Sequence, residues 1–418
     1  MRRGVVSAAA AVAALALAAP AAAAVRPNDP VWDEQWAARQ IGLPDVWSVT
    51  TGDAEVVIGA VDTGANPLPD LEDALLPGWD FVENDGAPQD TLGHGTHVAS
   101  VIAARGNNRT DMAGHCWKCR VLPVRVTAGG AVRPERVAEG IRWAVDHGAR
   151  IVNISLSRPG PPDATEREAV AYALARGVLV VASAGNTGDD VPQYPAAYPG
   201  VLAVGATDDS DGLYFWSARG PWVSLTAPGC QMVLDPRGPG TLCGTSLTPA
   251  AVAGVAGLIL SRAPQLTGAE VSAALLATAR PVSGVGGGRV DAAAAFARLG
   301  LLAPPAATPP PRAATPARGQ RFARSAQLRT GTFRGGMRRR FHVGKGRLEL
   351  QLVTPLARRC ALMLRSPQEV IVGSPAVGNL LSLSVLVPAG QYVLDVRCAG
   401  ARTRRYTLGV MAMFPVGA

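Results

Sequence analysis

Val56-Val57-Ile58-Gly59-Ala60-Val61-Asp62-Thr63-Gly64 joins an apolar run rich in β-branched residues to an acid and a glycine turn. A run without polar alternation suits a strand covered on both faces, as in a parallel sheet between two layers of helices. Such sheets gather their chemistry at the carboxyl ends of the strands, where Asp62 lies. Further along, Gly93-His94-Gly95-Thr96-His97 supplies an imidazole and Gly244-Thr245-Ser246 a hydroxyl, each beside small residues that leave room for a substrate. A serine hydroxyl becomes nucleophilic at neutral pH when a histidine takes its proton, and a buried carboxylate fixes that histidine's tautomer.

The surrounding chain supports the same architecture. Segments 120–126, 150–155, 178–182 and 201–206 read as further buried strands. Residues 94–104 and 137–147 read as helices, the second with an apolar stripe at Val137, Ile141, Ala144 and Val145. Residues 246–260 form a nearly all-apolar helix, too short for a membrane span and carrying Thr248 and Pro249, so a core helix is expected. Segments 271–276 and 291–299 supply closing helices. The fold class expected is α/β, three layers around a mostly parallel sheet. Prolines then accumulate over 304–316, marking a semi-rigid linker over 303–319. Alternating segments at 347–352, 380–387 and 391–396 follow, and residues 320–418 read as a small all-β, sandwich-like domain.

The three motifs, in the order Asp, His, Ser and with Ser183-Ala184-Gly185-Asn186 between them, resemble the subtilisin-like serine proteases of peptidase family S8. Pro27-Asn28-Asp29-Pro30 and Gly78-Trp79-Asp80-Phe81 are most similar to the thermitase branch, and the resemblance spans about residues 27–299. It implies a serine endopeptidase in which Asp62 orients, His94 acts as general base and acid, and Ser246 attacks. Asn186 would donate to the oxyanion together with the backbone N–H of Ser246. His97 is expected to be structural. An inactive surface-binding scaffold is disfavoured by the intact set of four residues, whereas a processing protease of narrow specificity stays open.

By the same resemblance, Ser155, Leu156 and Ser157 form a substrate-binding edge, and Ala182, Ser183 and Ala184 the floor of the first pocket. Relatives usually carry Gly-Gly where this chain has Ser157-Arg158, which alters the pocket's size and leaves an acidic preference open. Proline stands one residue earlier after the nucleophile than is usual, at Pro249, which the first turn of a helix tolerates. The oxygen-rich loop with Asp80, Glu83, Asp85 and Gln89 suits a structural calcium ion, and a second family site would use Asp29, Asp70 and Asn108. No catalytic cofactor is expected.

Residues 1–24 read as a secretory signal: Met1-Arg2-Arg3, an apolar stretch, then small residues for cleavage near Ala24. Residues 25–302 would then be the catalytic domain, in a secreted, extracellular, monomeric protein with no transmembrane segment in the mature chain. Segment 26–53 is too short for a folded inhibitory propeptide. Six cysteines suit an oxidising compartment. Their spacing favours pairs 116–119, 230–243 and 360–398, though other connectivities stay open. Residues 303–418 hold 18 Lys and Arg against Glu349, Glu369 and Asp395, a net +15. Such a basic appendage could hold the enzyme to an anionic cell surface or cell wall, and no nucleic-acid motif accompanies the charge. The partners expected are protein or peptide substrates.

Overall fold

A computed structural model describes residues 23–302, except residue 130, and the strand segments between 322 and 415. The leader expected over 1–24 lies outside them but for its last two residues, and the linker expected over 303–319 lies outside them entirely. The elements of the first part are α1 (Trp36–Gln40), α2 (Leu43–Trp47), β1 (Val57–Asp62), β2 (Trp79–Asp80), α3 (His94–Ala103), β3 (Arg120–Arg125) and α4 (Pro134–Asp146). There follow β4 (Ile151–Ile154), α5 (Ala164–Ala175), β5 (Leu179–Ser183), β6 (Leu202–Thr207), β7 (Leu225–Pro228), β8 (Cys230–Asp235) and β9 (Gly238–Cys243). The last are α6 (Leu247–Arg262), α7 (Gly268–Thr278), β10 (Arg280–Pro281), β11 (Gly288–Arg289) and α8 (Ala292–Arg298).

Nine of these strands form one sheet in the order β10-β11-β7-β6-β5-β4-β1-β3-β2. Its pairings are parallel except β10 with β11. The period-two alternation of a strand divides each apolar run between two cores. In β5, Leu179 and Val181 face the core shared with α3 and α6, while Val180 and Ala182 face the core shared with α4 and α5. Both sides need apolar residues, which is why these strands show no polar alternation.

Helix α6 is buried from Leu247 to Leu260 and packs against α3 and strands β4 to β7. Pro249 lies in its first turn, where no intrahelical acceptor loses a donor. Segment 26–53, too short for a folded propeptide, packs directly into the body. Trp32, Ile41, Leu43, Val46 and Trp47 are buried in the α3–α6 core, and Trp47 packs on Trp117 at a centroid distance of 4.6 Å. Helix α5 escapes the sequence reading, although Asp163 caps it by accepting from Glu166 N, an N-terminal signal legible in Asp163-Ala164-Thr165-Glu166.

Disulfides join Cys116 to Cys119 and Cys230 to Cys243, as spacing favours. The C-terminal strands are β12 (Phe322–Phe333), β13 (Gly336–Val343), β14 (Gly346–Val353), β15 (Cys360–Arg365), β16 (Val370–Val372), β17 (Leu380–Val387), β18 (Gly390–Cys398) and β19 (Arg404–Pro415). They pair antiparallel in the orders β12-β19-β14-β17 and β13-β18-β15-β16, with Cys360 opposite Cys398 in the register.

His115 lies inside the α3–α6 core, 2 % exposed, with Nδ1 donating to Val101 O at 2.9 Å and Nε2 without a partner. Burial pushes its pKa down to about 4. The unfolded chain therefore binds a proton that the folded chain refuses, so stability falls as pH drops from about 6.5 to about 4. The loss is on the order of 3 kcal/mol. Replacement of His115 by Asn, which cannot take the charge, is expected to flatten this acid limb. Urea unfolding between pH 4 and 7, in a Ser246→Ala background to prevent autolysis, checks it.

Candidate active site

Asp62 is the last residue of β1, and His94 the first of α3. The two elements meet through glycines. Gly64 turns with φ +98°, and a Cβ on Gly95 would lie 2.0 Å from Gly64 O, so any side chain there would push the helix off the strand end. The approach lets His94 Nδ1 reach Asp62 Oδ1 at 2.6 Å, with Asp62 fully buried. Against a carboxylate acceptor Nδ1 carries the proton, which assigns the lone pair to Nε2. Asp62 Oδ1 also accepts from Thr63 N at 2.8 Å, which fixes the carboxylate plane.

Asp90 holds this corner and was not singled out from the sequence. Its Oδ1 accepts from Thr63 Oγ1, Leu92 N and Gly93 N, and its Oδ2 from Thr96 N and Thr96 Oγ1, all at 2.7–2.9 Å. Asn66 closes the ring by donating to Asp90 O at 2.7 Å and accepting from Asp90 N. An acid a few residues ahead of a helix is a capping signal, and it was the legible trace of this role. His97 lies apart from this ring: its Nε2 is 3.7 Å from Asp235 of β8, and burial, with the nearby His94, lowers its pKa.

Ser246 stands at the N-terminus of α6, directly after β9 and the 230–243 disulfide. Gly244 N donates to Gly229 O at 2.9 Å, which ties the turn before the serine to the start of the hairpin. Asn186 Oδ1 accepts from both Thr245 N (2.9 Å) and Thr245 Oγ1 (2.8 Å). With the oxygen committed, the amide's NH₂ end is left to donate on the other side. Thr245 is thus a positioning residue that the sequence reading passed over, and Ser183 Oγ and Gly185 N both donate to its hydroxyl.

The expected substrate residues divide by role. The Ser155 hydroxyl, with Asn153 Nδ2 donating to it at 3.0 Å, itself donates to Ser246 O at 2.5 Å. Ser183 points likewise at Thr245, so both hydroxyls support the turn at Ser246. Leu156 and Ala182 pack in the α4–α5 core, and Ala184 beside Ala218 and Val223. Ser157 is half-buried. Arg158 Nη2 donates to Glu166 Oε2 at 2.8 Å.

Among the described residues no three His, Cys, Asp or Glu side chains gather as a metal cluster. Of the two expected cation loops, the first also meets a charge from the protein. Asp80 Oδ2 pairs with the buried Arg125 guanidinium, its Oδ1 accepts from Val82 N and Glu83 N, and Asp85 Oδ1 accepts from Ala87 N. Glu83 is 4.0 Å from Arg125 and mostly exposed, and Gln89 is held there by its N–H to Ala87 O. In the second, Asp29 and Asp70 are buried and converge on the 107–112 loop. Asp29 accepts from Asn107 N and Asn108 N, and Asn108 Nδ2 donates to Asp70 Oδ1 at 2.5 Å. Asn107, Arg109 and Asp111 adopt positive φ, which winds that loop tightly. Burial, opposed in part by the Asn108 and Met112 hydrogen bonds and reinforced by the Asp111 and Asp29 carboxylates, raises Asp70 to about 7. Two buried hard-oxygen donors short of countercharge fit a calcium ion.

Residues 53–305 match the family model described as "Subtilase family". The chain belongs to the subtilase family. It is 38 % identical over 275 residues to thermitase of Thermoactinomyces vulgaris, covering 64 % of this chain and 97 % of that one. It is 36 % identical over 282 residues to the halolysin-like extracellular serine protease Nep of Natrialba magadii, covering 64 % and 52 %. A solved protease from Pseudoalteromonas arctica superposes with a TM-score of 0.60 at 30 % identity, over 65 % of this chain and 99 % of its own. This subtilase is therefore a serine protease, a hydrolase acting on protein or peptide substrates.

Loss of the Asp90 carboxylate would leave buried amides and hydroxyls unpaired around the His94 turn, at a cost of roughly 3–5 kcal/mol. Asp90→Ala is expected to lower Tm by roughly 10 °C. It should also lower kcat more than it raises KM, because the histidine is displaced while the substrate edge is untouched. Calorimetry and steady-state kinetics on one preparation separate the two effects.

Proposed function

We propose that this subtilase is a secreted endopeptidase in which Ser246 attacks the peptide carbonyl and His94 Nε2 takes its proton. His94 then hands that proton to the leaving amine, and water hydrolyses the acyl-enzyme by the same path in reverse. Asp62 holds the tautomer that makes Nε2 the base and stabilises the imidazolium. Asn186 Nδ2 and Ser246 N donate to the oxyanion as it forms, so they favour the transition state over the bound substrate. The observation that carries this reading is the joint commitment of Asp62 to His94 Nδ1 at 2.6 Å and of Asn186 Oδ1 to Thr245, which orients both groups before substrate arrives.

Secretion is inferred from the leader-like residues 1–24 and from buried disulfides suited to an oxidising compartment. Residues 320–418 are inferred to be a separate β-sandwich domain whose net +15, counted with its linker, favours anionic surfaces. No helix among the described residues is long and apolar enough to cross a membrane.

Ser246→Ala is expected to abolish both turnover and labelling by a fluorophosphonate probe with little change in Tm. Asn186→Ala should keep the labelled serine but cost about 10²–10³ in kcat, as loss of this donor does in subtilisin. Retained hydrolysis in the serine variant would place the nucleophile elsewhere.

A structural calcium ion is proposed at Asp29, Asp70 and Asn108, where it would neutralise the buried carboxylates and clasp the N-terminal segment to the 107–112 loop. Binding to the folded state alone raises stability by mass action. Chelation should therefore lower the Tm of the Ser246→Ala protein by several degrees, and Asp70→Asn should remove most of that difference. A chelator shift that survives in Asp70→Asn would move the ion to another site.

A further inference from the structure

Resting on the proposed protease reading, we infer that the pocket for the side chain preceding the scissile bond is closed by Ser157 and Gln193. It therefore takes a small uncharged residue, alanine above all. Gly185, the residue before Asn186, has φ +99°, and a Cβ built on it would lie 2.9 Å from Gln193 Cγ and 3.4 Å from Ser157 Oγ. The space beside the oxyanion donor's neighbour is thus filled from two sides, by a hydroxyl on the substrate-binding edge and by a glutamine 2 % exposed.

The two walls cannot spread. One residue beyond Ser157 and one beyond Gln193, Arg158 and Tyr194 exchange both backbone hydrogen bonds at 3.0 Å, a bridge that seals the two segments to each other. The Arg158 side chain reinforces that seal and takes no part in recognition. Its Nη2 donates to the buried Glu166 at 2.8 Å, its Nη1 to Pro161 O at 2.9 Å, and its guanidinium lies over the Tyr194 ring at 5.6 Å. Tyr198 OH donates to the same Glu166 oxygen at 3.0 Å. The arginine charge that left an acidic preference open is spent inside the protein.

The test uses the calcium-loaded protein and succinyl-Ala-Ala-Pro-X-p-nitroanilides with X as Ala, Phe or Glu. kcat/KM for Ala should exceed that for Phe and for Glu by about tenfold or more, since a filled pocket forfeits the larger side chain's burial. Ser157→Gly should raise the Phe-to-Ala ratio about tenfold, and Gln193→Ala, acting on the opposite wall, should move it the same way. Labelling by a fluorophosphonate, whose small group needs no pocket, reports that each variant still carries an activated Ser246. A wild-type preference for Phe in labelled protein overturns the inference and leaves the protease reading standing. A preference for Glu does the same and returns Arg158 to the pocket. Folded protein that neither labels nor cleaves any of the three overturns the reading and the inference together.

Discussion

The contact on which this site depends is the approach of the α3 N-terminus to the end of β1, where Gly95 lies against the carbonyl of Gly64. Without that approach the imidazole of His94 could not reach a carboxylate that the sheet has already buried. Placing an acid at the end of a strand covered on both faces is costly unless its oxygens are bonded. Asp62 Oδ1, which meets the imidazole and Thr63 N, turns part of that cost into orientation, while Oδ2 is buried without a partner. The ring around Asp90 then holds the incoming turn from the outside.

A second corner is built on the same logic with neutral groups. The Thr245 side chain accepts from Ser183 and Gly185 and donates to Asn186, while Ser155 donates to the Ser246 carbonyl. Ser155, directly after β4, and Ser183 of β5 thereby brace the turn at Ser246, which follows the hairpin closed by the 230–243 disulfide. A preorganised arrangement of this kind has little left to reorganise when charge develops, the condition under which hydrogen-bond donors accelerate acyl transfer most.

Charge is handled differently at the two acidic loops. Arg125 enters the first from β3 and neutralises Asp80, while Asp29 and Asp70 at the second meet only amides. In the fold Asp80 of the first loop faces Arg125, forty-five residues away in the chain, a partner that no local reading supplies.

The apolar runs of β1, β4, β5 and β6, the helix starting at His94 and the all-apolar α6 were legible in the sequence, because burial on both faces leaves an unambiguous composition. The turns that carry Asp62, His94, Asn186 and Ser246 were legible too, since each of these residues lies within two positions of a glycine. Helix α5 and Asp90 carry only a brief local capping signal, and the burial of Trp32 and Trp47 and the role of Thr245 depend on partners elsewhere in the chain. Arg158 makes the point most directly. As a residue beside a pocket it reads as a recognition charge, and only the placement of Glu166 and Tyr198, eight and forty positions on, shows it turned inward. Residue types and local periodicity are properties of the chain, so the sequence alone determined the layers and the candidate groups of the site. Which charge meets which, and what space remains between two loops, depends on distances that exist only after folding, and those the tertiary structure decided.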